Sequence, residues 1–202
     1  MPTARSMLCS SVVDDKIYVI GGSRLVWGDA LSIVEEYDPV TDTWTKKTDM
    51  PTARGWLSAS ALNGKIYVFG GENGSRLSTV EEYDPKTDKW TKKADMPTAR
   101  NALSTGTVDG KIYSVGGVSA AGTELRLVEE YDPITDTWIR KADMLFARDA
   151  PSTSVIGGKI YAIGGFFGGP ISTVEEYDTG FVSESVDPSG KLPKTWGMLK
   201  TK

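Results

Sequence analysis

The side chains best suited to binding chemistry in this sequence are arginines that recur at regular intervals. Four of them lie 46 to 49 residues apart, at Arg5, Arg54, Arg100 and Arg148. Three more lie in loops that differ between the repeats, at Arg24, Arg76 and Arg126. A guanidinium can bind a carboxylate through two parallel hydrogen bonds. The arginines therefore predict a positive surface for an acidic peptide or another anionic ligand.

The repeated arginines also have a structural interpretation. A glutamate recurs in every repeat, at Glu35, Glu81, Glu129 and Glu175. If each repeated arginine pairs with such a glutamate, the pair holds the blades together and binds no ligand. For the three loop arginines the alternative is an ordinary solvated charge. The sequence leaves both interpretations open.

Four aromatic residues outside the repeat pattern are further candidates for ligand contact. Trp56 follows Arg54 by two residues, so strand alternation would place both side chains on one face. Trp27, Phe166 and Phe167 lie in segments that differ between repeats. Large aromatic residues are typical anchors of interfaces. The alternatives are packing in the interior for Trp56 and packing of the loop onto its own sheet for the two phenylalanines.

The composition excludes several classes of function. None of the 202 residues is histidine, and Cys9 is the single cysteine. The chain therefore lacks a Ser-His-Asp triad, histidine metal ligands and any cysteine-based zinc site or disulfide framework, and we expect neither a metal nor a cofactor. The net charge of −4 argues against nucleic-acid binding. No apolar run approaches the roughly 18 residues that a membrane-spanning helix needs, and no signal-peptide pattern is evident. We therefore expect a soluble protein outside the membrane, with the cytoplasm favoured.

Four sequence repeats supply the elements that must position these residues. Each repeat carries Lys-Ile-Tyr, Gly-Gly, Val-Glu-Glu-Tyr-Asp and a tryptophan, in that order. In the second copy, Asn63-Gly64 is a strong hairpin signal between two strands. The predicted strands of that copy are Trp56–Leu62, Lys65–Phe69, Thr79–Tyr83 and Lys89–Lys93. Such four-stranded antiparallel units bury both faces only by packing against one another around an axis, which predicts an all-β propeller.

The Gly-Gly, Glu-Glu-Tyr-Asp-Pro and spaced tryptophan motifs closely resemble the kelch repeat. The resemblance implies a single propeller domain over residues 1–202, with four blades at about 1–49, 50–95, 96–143 and 144–202. The regular tryptophans would then lie in the core between blades, at Trp44, Trp90, Trp138 and Trp196. No strand is left over to join the first and last blades. Kelch propellers also usually have about six blades, whereas this chain has four repeats. The chain could therefore close as a four-bladed ring, form a homodimer of half-rings, or be a fragment of a longer protein.

Strand direction assigns the loops to faces. In a four-stranded meander, the loop between the second and third strands lies on the same face as the linker to the next blade. In this sequence those loops differ in length and composition between repeats, at Ser23–Leu31, Glu72–Leu77, Val118–Arg126 and Phe166–Pro170. Recognition usually resides in variable loops on a rigid scaffold. We therefore expect the ligand at this face.

The resemblance implies a non-catalytic scaffold that binds a protein or peptide through this loop face. Its contacts would come from the arginine that opens each first strand, from the residue after it, such as Asn101, and from residues after the double glycine, such as Asn73. The alternative is a carbohydrate-binding or histidine-independent sugar-modifying propeller, because the same aromatic residues could stack on a sugar. Copper-dependent sugar oxidation would need imidazole ligands, which the chain lacks.

Overall fold

A computed structural model of the chain describes residues 1–25, 28–180 and 196–198. The chain divides into two compact units, Met1–Leu103 and Ser104–Lys202. The first unit contains two sheets, formed by strands β1 (Cys9–Val13), β2 (Lys16–Ile20), β3 (Val34–Asp38) and β4 (Thr43–Lys46), and by β5 (Ser58–Leu62), β6 (Lys65–Phe69), β7 (Val80–Asp84) and β8 (Lys89–Lys93). It also contains the short strand β9 (Arg100–Asn101).

The second unit contains the other two sheets. Their strands are β10 (Ser104–Val108), β11 (Lys111–Val115), β13 (Val128–Asp132) and β14 (Thr137–Arg140), and then β15 (Ser152–Ile156), β16 (Lys159–Ile163), β17 (Val174–Asp178) and β18 (Trp196–Met198). The short strand β12 (Val118–Ser119) lies in the loop of the third repeat. In all four sheets consecutive strands pair antiparallel, so each predicted blade contains one four-stranded sheet as expected. The extent of the domain as a whole stays a prediction.

Local sequence sets the register of each hairpin. Asn63 and Gly64 have φ angles of 53° and 74°, the left-handed conformation that a two-residue type I′ turn requires. This turn pairs Leu62 with Lys65 and Ser58 with Phe69 along β5 and β6. The predicted strands at β6 and β8 are confirmed, whereas β5 starts two residues later than expected.

Each unit has a core between its two sheets. In the first unit, Ile20 and Val34 of the first sheet are buried together with Ile66 and Tyr83 of the second. In the second unit, Val115 and Val128 are buried with Ile160 and Tyr177 in the same arrangement. Cys9 is a small buried residue of the first core, as predicted.

In the first three repeats, the first glycine of the Gly-Gly pair allows the next repeat to approach closely. A Cβ atom on Gly21 would lie 2.7 Å from the carbonyl oxygen of Arg54, and one on Gly116 would lie 2.5 Å from that of Arg148. Both glycines also have positive φ angles, which other residues rarely adopt. A side chain at either position would therefore displace the backbone of the following repeat.

The regular tryptophans lie on the outer strands and are not fully buried, but Trp90 packs against the core between the two sheets of the first unit, as predicted. Trp44, Trp90 and Trp138 are partly exposed, and each packs against a tyrosine of its own sheet with ring centroids 4.9 to 5.0 Å apart. The Trp90 indole also donates a hydrogen bond of 3.0 Å to the carbonyl of Thr48 in the preceding linker. The side chain of Trp196 lies outside the described residues.

Candidate functional site

The repeated arginines are buried and paired within the protein. The side chains of Arg5, Arg54 and Arg148 are 0% exposed. Their partners are Glu35 at 3.0 Å from Arg5, Glu81 at 2.9 Å from Arg54, and Glu175 beside Arg148. Arg100 is also fully buried. The prediction that these arginines form a positive surface is therefore wrong, and the structural interpretation holds for the three pairs described.

The surroundings of Arg54 show how such a pair is built. Its guanidinium donates to the carboxylate of Glu81 and to the carbonyls of Val68 and Thr79, at 3.3 and 3.1 Å. The other carboxylate oxygen of Glu81 accepts a 2.8 Å hydrogen bond from the Thr52 hydroxyl. Burial lowers the pKa of Arg54, and the charge of Glu81 opposes that shift. The arginine thus joins the linker to strands of its own sheet, and the expected link between blades is made by its backbone instead.

Of the three loop arginines, Arg24 and Arg126 are exposed and Arg76 is half-buried, and each has a polar partner. Arg24 lies 3.7 Å from the carboxylate of Asp29, and Arg126 lies 3.4 Å from that of Asp143. Arg76 donates a 3.2 Å hydrogen bond to the side-chain oxygen of Asn101. These contacts offset or disperse their positive charge.

The linkers and the variable loops are paired with each other. Gly55 and Glu72 exchange two backbone hydrogen bonds, of 3.0 and 2.8 Å, and Asp149 and Phe166 exchange two of 3.0 Å. Ser6 and Ser23 form the same pair in the first repeat. In these repeats the residue after the repeated arginine therefore fixes the residue after the double glycine, which confirms that linker and loop lie together.

A pocket of about 340 Å³ opens among these segments in the first unit. Its lining combines residues from two linkers and two variable loops: Met7, Ser23, Gly28, Asp29, Ala30, Ala53, Gly55, Trp56, Glu72, Asn73 and Gly74. Trp56 and Asn73 were predicted contacts and line this pocket. Trp27 was also predicted, and it lies outside the described residues. The pocket therefore occupies the predicted loop side of the two sheets in this unit.

Trp56 adopts a backbone conformation that explains why β5 starts late. Its φ angle is 54°, and the matching residues of the other repeats, Met7, Ala102 and Ala150, also have positive φ. Its amide donates to the carbonyl of Met7 at 2.8 Å, and its carbonyl accepts from the amide of Ala102 at 2.9 Å. Strand alternation does not apply to such a residue, so the predicted shared face of Trp56 and Arg54 is wrong. The arginine points into the fold and the tryptophan lines the pocket.

Asn101 links two charged residues beside the pocket. This asparagine is 5% exposed, accepts a hydrogen bond from Arg76 and donates one to the carboxylate of Glu72. It therefore positions the Glu72 side chain rather than offering its own to a ligand. Asp29 also lines the pocket and was not singled out from the sequence. Its position in a variable loop is the one signal that pointed to it.

In the second unit the predicted aromatic residues are exposed. Phe166 and Phe167 are 44% and 53% exposed, so their loop does not pack them onto its sheet. The backbone partner of Phe166 is Asp149, whose pKa is raised by burial and, to a smaller extent, by the charge of Glu124. These loops present an aromatic pair beside acidic groups.

The described residues hold no group of three or more acidic, cysteine or histidine side chains placed to bind a metal. The search for membrane spans, made over the same residues, finds no helix of the length and apolarity that a span needs.

Comparisons with known proteins identify the repeat family. The model of the KLHDC2/KLHL20/DRC7 Kelch-repeats domain matches residues 8–181. A solved structure titled "Structure of YjhT" superposes with a TM-score of 0.80 at 19% sequence identity. The superposition covers 98% of this chain and 66% of that one, so this chain spans less than two thirds of its length. No curated protein sequence matches. The family match and the structural likeness confirm the predicted all-β fold of kelch-type propeller blades.

Proposed function

Because the chain belongs to the kelch-repeat family, whose propellers are typically non-catalytic and commonly mediate protein interactions, we propose that it is a non-catalytic scaffold. It binds a peptide segment of a partner protein at the pocket beside Trp56. The observation that carries this proposal is the composition of the pocket. Its lining is drawn from the linkers and from the loops that vary between repeats.

Trp56 is the central contact in this proposal. The four repeats share the same backbone conformation at this position, but the side chain changes from Met7 to Trp56 to Ala102 and Ala150. A left-handed conformation costs a residue other than glycine about 1–2 kcal/mol, which the backbone hydrogen bonds around Trp56 offset. The fold therefore constrains the backbone conformation at this position in every repeat, whereas the side chain is free to differ and to suit a ligand.

The charges at the pocket favour a segment that donates hydrogen bonds. The charged residues of the lining, Asp29 and Glu72, are both acidic, whereas the nearest repeated arginines are buried in ion pairs. A peptide with amide, hydroxyl or basic groups would meet complementary acceptors there. The acidic peptide expected from the arginines alone would instead meet two carboxylates.

Selection from a random peptide display library, followed by calorimetry on purified variants, tests the proposal. Selected peptides should bind Trp56→Ala at least about tenfold more weakly than the wild type, because truncating an aromatic anchor that dominates an interface costs about 2 kcal/mol or more. Val40→Ala is the control, since Val40 is 89% exposed on the turn between β3 and β4. It should change the affinity less than twofold.

Two results would count against the peptide-binding proposal. One is a set of selected peptides that bind Trp56→Ala and the wild type equally well. The other is a selection that enriches no peptide, in parallel with a positive selection on another kelch domain. Circular dichroism on each variant would show that the fold is retained, because Trp56 lines the pocket and lies outside both buried cores.

A carbohydrate ligand is the second candidate, and the lining favours it on one point. An aromatic ring beside carboxylate and amide side chains, as formed by Trp56, Glu72 and Asn73, could stack on a sugar and bind its hydroxyls. A glycan array probed with wild-type protein and with Trp56→Ala separates the two ligands. Glycan binding lost in the variant, without any selected peptide, would assign the pocket to a sugar.

A further inference from the structure

The fourth sheet presents an apolar face whose counterparts in the first and third sheets are buried. Ile156 ends its first strand and is 68% exposed, and Ile163 ends its second strand and is 40% exposed. The residues at the same positions of the first sheet, Val13 and Ile20, are 5% and 0% exposed. Those of the third sheet, Val108 and Val115, are 4% and 0% exposed.

The following sheet covers these positions in both units. Strand β1 packs against β5 and β6 in the first unit, and β10 packs against β15 and β16 in the second. In each unit the covering surface belongs to the second sheet. It is the face that carries Ile66 and Tyr83 in the first unit and Ile160 and Tyr177 in the second. The face of the fourth sheet therefore has the chemistry of a surface that receives another kelch sheet.

A backbone clamp accompanies each covered face. In the first unit, Gly22 donates to the carbonyl of Arg54 at 3.0 Å, and the amide of Arg54 donates to the carbonyl of Leu31 at 3.1 Å. Gly117, Arg148 and Leu125 form the same two bonds in the second unit, at 2.9 and 3.0 Å.

The fourth repeat carries both outer halves of this clamp, at Gly165 and Ile171. Within the described ranges, neither the Gly165 amide nor the Ile171 carbonyl has a backbone hydrogen-bond partner. A Cβ atom on Gly164 would also meet nothing closer than the Ile171 carbonyl at 3.4 Å, whereas the same atom on Gly116 would strike an arginine carbonyl. The slot for an incoming arginine backbone is present and open.

The first sheet presents the complementary face. Val12 is 58% exposed there, and Ile17 and Tyr37 are partly exposed, although the matching Ile66 and Tyr83 are 0% exposed. Arg5 holds the position of the clamped arginines, and its amide and carbonyl have no backbone partner among the described residues. This sheet therefore offers both the apolar surface and the arginine backbone that the fourth sheet would receive.

We infer that the open face of the fourth sheet binds the open face of the first sheet in a second copy of the chain. The contact is head to tail, with the backbone of Arg5 from one copy between Gly165 and Ile171 of the other. Such a contact joins two different surfaces, so a dimer with one contact leaves one open face on each copy, whereas a closed ring leaves none. The inference concerns self-association and does not depend on the peptide pocket.

Sedimentation velocity across a wide concentration range tests the inference. The wild type should reach at least twice the monomer mass of 21.8 kDa. Val12→Asp and Ile163→Asp should each weaken this association at least about tenfold, because each buries a charge in an apolar interface. Val40→Asp and Ile134→Asp are matched controls, at 89% and 83% exposure on turns, and should associate as the wild type does.

Mixing the two interface variants tests the head-to-tail geometry. A chain with Val12→Asp keeps the open face of its fourth sheet, and a chain with Ile163→Asp keeps the open face of its first sheet. The mixture should therefore form a heterodimer, while the doubly substituted chain stays monomeric. A wild type that remains a monomer at every concentration would overturn the inference, as would a mixture that fails to associate. Ile156→Asp, at the more exposed position, repeats the test if Ile163→Asp fails to fold.

Discussion

Replacing Glu81 should show whether the repeated arginines serve the fold or a ligand. The side chains of Arg54 and Glu81 are 0% and 4% exposed, and their charged atoms lie 2.9 Å apart. Glu81→Ala would leave a buried guanidinium with two carbonyl acceptors and no counter-charge, and would also remove the acceptor of the Thr52 hydroxyl. Removal of one member of a buried ion pair typically costs about 3–5 kcal/mol.

The expected effect is large enough to measure by thermal and chemical unfolding. For a chain of about this size, each kcal/mol lowers Tm by about 2–4 °C, so Glu81→Ala should lower it by about 6–20 °C. The exposed pair of Lys92 and Asp95 is the control, because both side chains are more than half exposed. Lys92→Ala should change the free energy of unfolding by less than about 1 kcal/mol.

A double substitution separates the loss of the pair from the loss of packing. Arg54→Met with Glu81→Leu removes both charges and keeps most of the buried volume, so the double variant should be more stable than Glu81→Ala. The reasoning would be refuted if Glu81→Ala cost less than about 1 kcal/mol, below the range for a broken buried pair. By the same logic Arg54→Ala should destabilise the fold, because it leaves the carboxylate of Glu81 buried without its counter-charge.

Two further predictions concern single titratable groups. Burial raises the pKa of Cys9 to about 12, so its thiol should react with a disulfide reagent at pH 8 at least about 100-fold more slowly in native protein than in urea; equal rates would contradict its burial. The raised pKa of Asp149 makes its ionisation less favourable in the folded chain, so its contribution to stability is complete below the ordinary value of 3.8 and is lost as pH rises through the folded pKa. Asp149→Asn should therefore raise Tm relative to wild type more at pH 7 than at pH 3, and a gain independent of pH would contradict the assignment.

The sequence was sufficient for the strands because their signals are local. Lys65–Phe69 alternates β-branched and aromatic residues and follows an Asn-Gly turn, so its position could be predicted from those few residues alone. The start of β5 could not, because the left-handed conformation of Trp56 is imposed by hydrogen bonds to Met7 and Ala102, which are distant in sequence. The conformational propensity of a residue does not include the effect of contacts with residues distant in the sequence.

The location of the candidate site could be predicted from the sequence, but the charge of its lining could not. Strand direction was enough to bring Trp56 and Asn73 to the loop side, since topology fixes where loops lie. Whether such an arginine faces a ligand or a glutamate depends on whether its side chain is buried. Both are chemically suitable partners for a guanidinium, so the sequence alone does not decide between them. The arginine of each described pair faces its glutamate, and the charged side chains that line the pocket are those of Asp29 and Glu72.

The repeated arginine has two separate structural contributions, and their separation explains why it recurs. Its side chain closes an ion pair within its own sheet, as Arg54 does with Glu81. Its backbone fills a clamp on the preceding sheet, as Arg54 does between Gly22 and Leu31. A residue with both duties is constrained on two sides, whereas the position two residues later needs only a left-handed backbone. Variation between repeats is therefore concentrated at that later position and in the adjoining loops, which is where a ligand can be recognised without cost to the fold.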